Sequence, residues 1–210
     1  MTAVNSSSIS ASAAFVACAA ALAVTLSACG SEADKTAASS TSAVQPAPST
    51  VTQMSTDLTT CPTAAPAPGA APEWTLPGAT GSVAVTGSTD TAAPLVNVTA
   101  PFSVTETQVH TLVAGTGPVV PPTATVSVCY EGVNGRDGSV FDSSYQRGEP
   151  VDFPLNGVVP GFQKAIAGQN VGSTVAVAMT SADGYPEGQP AAGIQPGDSL
   201  VFAIKILSAS

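Results

Sequence analysis

The chain has 210 residues, only 9% of them charged, and its formal net charge of −9 comes from 14 acidic against 5 basic side chains. Cations this few and this scattered exclude nucleic-acid binding through phosphate contacts, and the sign of the charge disfavours electrostatic adsorption on anionic lipid. A single histidine and the lack of any CxxC pair leave no basis for a Ser-His-Asp hydrolase, a zinc site or a dithiol redox motif.

Residues 1–28 read as an export signal. No charged side chain occurs before Glu32, and residues 13–26 form an apolar stretch. That stretch has the length of a signal-peptide core and falls short of the roughly 20 residues a transmembrane helix requires. It ends in Leu26-Ser27-Ala28-Cys29, which resembles the bacterial lipobox, whose cysteine is acylated and becomes the mature N-terminus. This reading attaches the protein by lipid at Cys29 to the extracytoplasmic face of a bacterial cell membrane. An ordinary secretory signal, with Cys29 incidental, is the alternative.

Residues 29–72 consist largely of Ala, Ser, Thr and Pro, and no aromatic residue occurs between 30 and 72. Such a segment buries too little apolar area to offset the entropy of ordering it, so a disordered tether is expected. Cys18 lies in the signal core and Cys29 would carry lipid, which leaves Cys61 and Cys129. In an oxidising compartment these two form one disulfide or stand as two unpaired thiols, one of them buried. Over residues 73–105, SVAVTG and PLVNVTAPFSV alternate with Gly, Pro and Thr. This pattern predicts a few strands, a β extension packed against the main domain rather than a separate fold.

From residue 106 to 210 the period of two sharpens. Val126, Val128 and Tyr130 share one face of a strand, and Thr125, Ser127 and Cys129 share the other. If Tyr130 faces a pocket, Cys129 faces the back of the sheet, where a segment carrying Cys61 can reach it. Asn134-Gly135 and Asp137-Gly138 tolerate positive φ and predict a hairpin into Ser139 to Asp142. Phe162, Ala165 and Ile166 fall at i, i+3 and i+4 between Pro160 and Gly168, which predicts a helix over Gly161 to Ala167. A helix this short must be held by a sheet. Val175, Val177 and Met179 alternate with the small residues Thr174, Ala176 and Ala178, and Leu200, Phe202, Ile204 and Ile206 alternate with Ser199, Val201, Ala203 and Lys205. Strands, one helix, then strands define an α+β domain.

Tyr130, the Phe141-Asp142-Ser143-Ser144 run, Val158-Val159-Pro160-Gly161-Phe162, Gly184-Tyr185 and Leu200-Val201-Phe202 resemble, in order and spacing, the FKBP-type peptidyl-prolyl cis-trans isomerases over about residues 106 to 207. The resemblance implies an antiparallel sheet of five or six strands wrapped around one short helix, with a proline pocket between them. Tyr130, Phe141, Val158, Val159, Phe162 and Phe202 would form its walls and floor. Phe162 stands where many members carry tryptophan, which leaves a roomier floor. The Val159 N–H would hold a substrate carbonyl, Asp142 would lie at the rim near the susceptible amide, Tyr185 would donate a hydrogen bond, and Ile194 would lie on the far wall. The chain departs from the family pattern at Val151, in the spacing between Phe153 and Val158, and in the loop 184–193. The implied function is isomerisation of Xaa-Pro bonds in exported polypeptides by a monomer, without cofactor or metal, with macrolides as ligands of the same pocket. The alternative is a non-catalytic binding or chaperone module on the same fold.

Overall fold

The computed structural model describes residues 60–210. The expected signal peptide, Cys29 and the expected tether as far as residue 59 lie outside the described residues. Two antiparallel sheets are stacked back to back. The first consists of β1 (Trp74–Pro77), β2 (Thr80–Thr86) and β3 (Leu95–Ser103), in that order. The second has six strands: β4 (Gln108–Val113), β5 (Thr125–Asn134), β6 (Val140–Ser143), β7 (Val151–Pro154), β8 (Thr174–Met179) and β9 (Leu200–Ala209). Its path is β4-β8-β9-β5-β6, with β7 also paired to β5. The central strand β9 sets Ile204 beside Tyr130 of β5 and Phe202 beside Val177 of β8.

Alternation along these strands separates two cores. Val126, Val128, Val175, Val177, Ile204 and Ile206 face the helix α2 (Pro160–Ile166) and pack on Phe162, Ala165 and Ile166. Ala176, Ala178, Val201 and Ala203 face the other way, onto Leu76, Val83, Val85 and Phe102. Both faces are thus covered, and every residue of β8 is buried. The small side chains on the outer face let the three-stranded sheet come close. The β extension therefore shares a hydrophobic core with the main sheet. Phe102, 2% exposed, fills the joint between them. Phe102→Ala should cost about 3–5 kcal/mol, read as a lower midpoint in a single denaturant transition. Two separate transitions would show instead that the three-stranded sheet unfolds independently.

α2 starts one residue earlier than the periodicity suggests, because Pro160 occupies its first turn with Val159 as the N-cap. Proline fits there because its missing N–H would have had no partner in the first turn. Gly161 is required by close packing: a Cβ at this position would lie 2.8 Å from Met179 Sδ and 2.9 Å from its Cβ. The absence of a side chain lets the helix backbone rest directly on β8.

One expectation is corrected. The disordered tether of residues 29–72 does not extend through its last residues. Cys61 is disulfide-bonded to Cys129, its N–H donates to the Gly148 carbonyl at 3.0 Å, and the Ala93 N–H donates to the Ala64 carbonyl at 2.8 Å. Composition alone carries no information about a cross-link that supplies the ordering energy. The six-stranded sheet wraps around one short helix, α2, as the resemblance implies. A second one, α1 (Ser144–Arg147), follows β6, with the Ser143 side chain accepting from the Gln146 N–H and Gly148 closing it in the left-handed region.

Candidate functional site

Between α2 and the concave face of the six-stranded sheet lies a cavity of about 340 Å³. β5 contributes Tyr130, β6 contributes Phe141 and Asp142, and β9 contributes Phe202. Val158 and Val159 lead into α2, whose first turn raises Phe162 as the floor. Tyr185 closes one side from the loop that follows a short 3-10 turn at Ser181–Asp183. Eight of the nine residues singled out in the sequence therefore border one cavity.

Ile194 does not. It is not among the residues lining the cavity and, 2% exposed, packs in the same buried cluster as Tyr130, Phe162 and Phe202. The loop folds back on itself there: the Gln189 N–H donates to the Ile194 carbonyl at 2.8 Å and the Ile194 N–H returns the bond at 3.1 Å.

The rings form a connected edge-to-face set. Phe162 meets Phe202 at 5.4 Å between centroids with planes at 79°, and meets Tyr130 at 5.9 Å and 86°. Phe141 meets Phe202 at 5.5 Å and 87°. Such contacts each add about 0.5–1.5 kcal/mol beyond area burial and fix ring orientation. Phe153 of β7 also borders the cavity, 5.7 Å from both Tyr130 and Phe162. In the sequence, Phe153 stands out only as a marker of spacing. Its signal was the alternation of Val151 and Phe153 against Asp152 in a strand paired to β5. Gly132 makes room for the rings, since a Cβ there would come 2.6 Å from the Phe141 ring and 2.8 Å from the Phe202 ring.

A polar corner stands against this apolar lining. The Tyr130 hydroxyl donates to one Asp142 carboxylate oxygen. Arg147 of α1 donates to the other at 2.5 Å, and its second nitrogen lies 3.3 Å from the Tyr130 hydroxyl. The guanidinium also sits over the Tyr130 ring, 5.9 Å from its centroid. Burial by itself would raise the Asp142 pKa, but the Tyr130 hydroxyl and the Arg147 guanidinium together outweigh it and hold the carboxyl below its usual value. Burial, then the bond to Asp142, pushes the Tyr130 phenol up to about 12. At neutral pH the corner is therefore a carboxylate, a neutral phenol and a guanidinium. Arg147 was missed in the sequence. The Ser143-x-x-Gln146 spacing followed by Gly148 is the signature of a capped helical turn, and that turn brings Arg147 back over Asp142.

In Arg147→Ala the burial effect on Asp142 loses one of its opponents. The Asp142 carboxyl should then titrate at higher pH than in wild type, as followed by carboxyl carbon shifts across a pH series. Because the folded-state pKa lies below the unfolded value, the stability from this group is present above the unfolded pKa and is lost as pH falls through the folded one. Arg147→Ala should narrow that loss. An unchanged Asp142 titration would show that the guanidinium is not its electrostatic partner.

Two backbone features complete the site. The Val159 carbonyl accepts from the Phe162 and Gln163 N–H groups, while the Val159 N–H makes no hydrogen bond among the described residues. The Tyr185 loop is pinned by its own carbonyl, which accepts from Gly188 N–H at 2.9 Å and from Ser181 Oγ at 3.2 Å. It is tied to α2 through Asp183, which accepts from Lys164 at 2.7 Å and from Thr107 at 2.5 Å.

A sheet wrapped over a helix, with an aromatic cavity and an unpaired backbone donor at its mouth, defines a receptor for a small apolar group that carries a carbonyl. Residues 117–207 match the family model described as FKBP-type peptidyl-prolyl cis-trans isomerase. The chain is 37% identical over 99 residues to the "Probable FK506-binding protein" of Corynebacterium glutamicum, covering 47% of this chain and 82% of that one. It is 41% identical over 93 residues to the FKBP-type 22 kDa peptidyl-prolyl cis-trans isomerase of Escherichia coli K12, covering 44% of this chain and 45% of that protein. The crystal structure of FkpA from Escherichia coli aligns with a TM-score of 0.46 at 33% identity, over 50% of this chain and 48% of that one. The chain belongs to the FKBP-type peptidyl-prolyl cis-trans isomerase family. It spans less than half the length of the Escherichia coli relative it matches.

Proposed function

We propose that the protein is a peptidyl-prolyl cis-trans isomerase acting on proline-containing polypeptides outside the cytoplasm. The observation that carries this reading is the aromatic cavity of about 340 Å³ with the unpaired Val159 N–H at its edge. Rotation about an Xaa-Pro bond faces a barrier of about 18–20 kcal/mol because amide resonance must be broken. The twisted amide has lost much of its charge separation, so a dry aromatic cavity binds it better than the planar form. The proline ring sits over Phe162, the Val159 N–H holds a neighbouring carbonyl, and the Tyr185 hydroxyl donates a second bond. Asp142, already engaged by Tyr130 and Arg147, keeps the rim in one geometry and takes no proton. A macrolide of the FK506 class would compete for the same cavity. The lipobox-like Cys29 supports attachment of a monomer to the bacterial membrane by acyl chains; Cys29→Ser should move the protein from the membrane fraction to the soluble one.

Exchange spectroscopy on short Xaa-Pro peptides tests the enzymatic reading. Acceleration by wild type that falls in folded Asp142→Ala and Phe162→Leu variants is the expected result. Binding of the same peptides with no acceleration would overturn it and leave a non-catalytic binding module.

A further inference from the structure

A second groove, of about 320 Å³, lies on the side of β5 opposite the aromatic cavity. Ala65 and Pro66 of the disulfide-held segment, Leu95 of β3 and Val140 of β6 line it. Leu95 is 39% exposed and Val140 43%, so both present apolar surface to solvent. β3 is the outer strand of the three-stranded sheet and β6 the outer strand on the path of the six-stranded one. Each therefore offers a strand edge with unpaired backbone groups, the feature that extended polypeptides add to.

One carboxylate lines this groove, that of Glu131. It follows Tyr130 on β5 and so points to the opposite face of the sheet. The cations of the described residues are all engaged elsewhere: Arg136 with Asp137 and Asp198, Arg147 with Asp142, and Lys164 with Asp183, while the Lys205 ammonium donates to the Gly172 carbonyl. Burial holds the Glu131 carboxyl above its usual value, a rise that the Ser143 hydroxyl only partly offsets. A half-buried carboxylate with no cation beside it gains from an incoming ammonium or guanidinium. The net charge of −9 draws basic segments toward the whole molecule.

We propose that this groove is a second polypeptide-binding site, which takes an extended partner segment through apolar side chains and one Lys or Arg placed at Glu131. It requires no proline and does not depend on isomerase activity. The groove would hold a client while the aromatic cavity, on the other face of the sheet, samples its Xaa-Pro bonds.

The test uses the mature, oxidised protein and a fluorescently labelled, proline-free peptide of alternating Leu and Lys, beside a twin with norleucine in place of Lys. The Lys peptide should bind about fivefold more tightly, the effect of one partly exposed charge pair, and added salt should erase the difference. Amide shifts should centre on Leu95, Val96 and Val140. Glu131→Gln should make the two peptides equal, and Val140→Thr should weaken both. Equal binding of the two peptides to wild type, a difference that survives in Glu131→Gln, or shifts centred on Val159 and Phe162 would each overturn the proposal.

Discussion

Phe162→Ala is expected to lose most isomerase turnover, with kcat/KM falling by about tenfold or more, and to cost about 3–5 kcal/mol of stability. The ring is 4% exposed and sits at the centre of the aromatic set, against Tyr130, Phe153 and Phe202. Its removal opens the floor to water and frees three neighbours to rotate. Water in the cavity stabilises the planar, charge-separated amide more than the twisted one, so the loss should appear in turnover beyond any loss of peptide affinity. Phe162→Leu separates the two effects, because it keeps the core apolar and nearly filled while removing the flat face beneath the proline ring. This variant should stay folded at assay temperature and still lose turnover. Stopped exchange measurements at saturating peptide, with denaturant midpoints in parallel, provide both readouts. A Phe162→Leu protein with wild-type turnover would show that the ring is core and takes no part in the reaction.

The parts of this fold legible in the sequence are those set by local period. Val175, Val177 and Met179 against Ala176 and Ala178 were separable by face, as were Tyr130 and Cys129. The destination of the second face was not legible. Alanines on a strand read as filler until the three-stranded sheet is seen packed on them, and that contact joins segments far apart in the chain, from Leu76 to Phe102 on one side and from Ala176 to Ala203 on the other. The site shows the same division. Phe141, Phe162, Phe202 and Tyr130 were found because the runs that carry them resemble the family pattern in order and spacing, whereas period alone marks them only as candidate core. Arg147 and Phe153 were not, because each reaches the cavity through a neighbouring element. Arg147 depends on a one-turn helix below the length at which periodicity registers, and Phe153 on the pairing of β7 to β5. Ile194 lies in a loop whose internal pairing with Gln189 is likewise invisible in the sequence.

Removal of the Cys61–Cys129 disulfide should destabilise the protein and also impair the site. The bond closes a sequence separation of 68 residues, with Cα atoms 5.7 Å apart. Loop-closure entropy for a loop of that size is worth about 4 kcal/mol. The effect on the site follows from what Cys61 holds. Its N–H donates to the carbonyl of Gly148, the C-cap of α1, and its Sγ lies 3.5 Å from Ser144 Oγ at the start of the same helix. Ser144 Oγ in turn accepts from the Tyr130 N–H at 2.8 Å. The segment thus clasps α1 at both ends, and α1 carries the Arg147 that fixes Asp142 and the Tyr130 hydroxyl. In a Cys61→Ala/Cys129→Ala double variant the Gly148 carbonyl and the Ser144 hydroxyl lose a tethered partner. Arg147 then moves with a looser turn. The denaturation midpoint should fall, the Asp142 titration should shift upward toward that of Arg147→Ala, and turnover should drop by less than in Phe162→Leu, because the aromatic floor is untouched. Wild type treated with dithiothreitol should behave like the double variant and recover on reoxidation. If the reduced protein loses stability while its Asp142 titration stays fixed, the disulfide acts only on the unfolded chain and the coupling from Cys61 through α1 to the cavity is wrong.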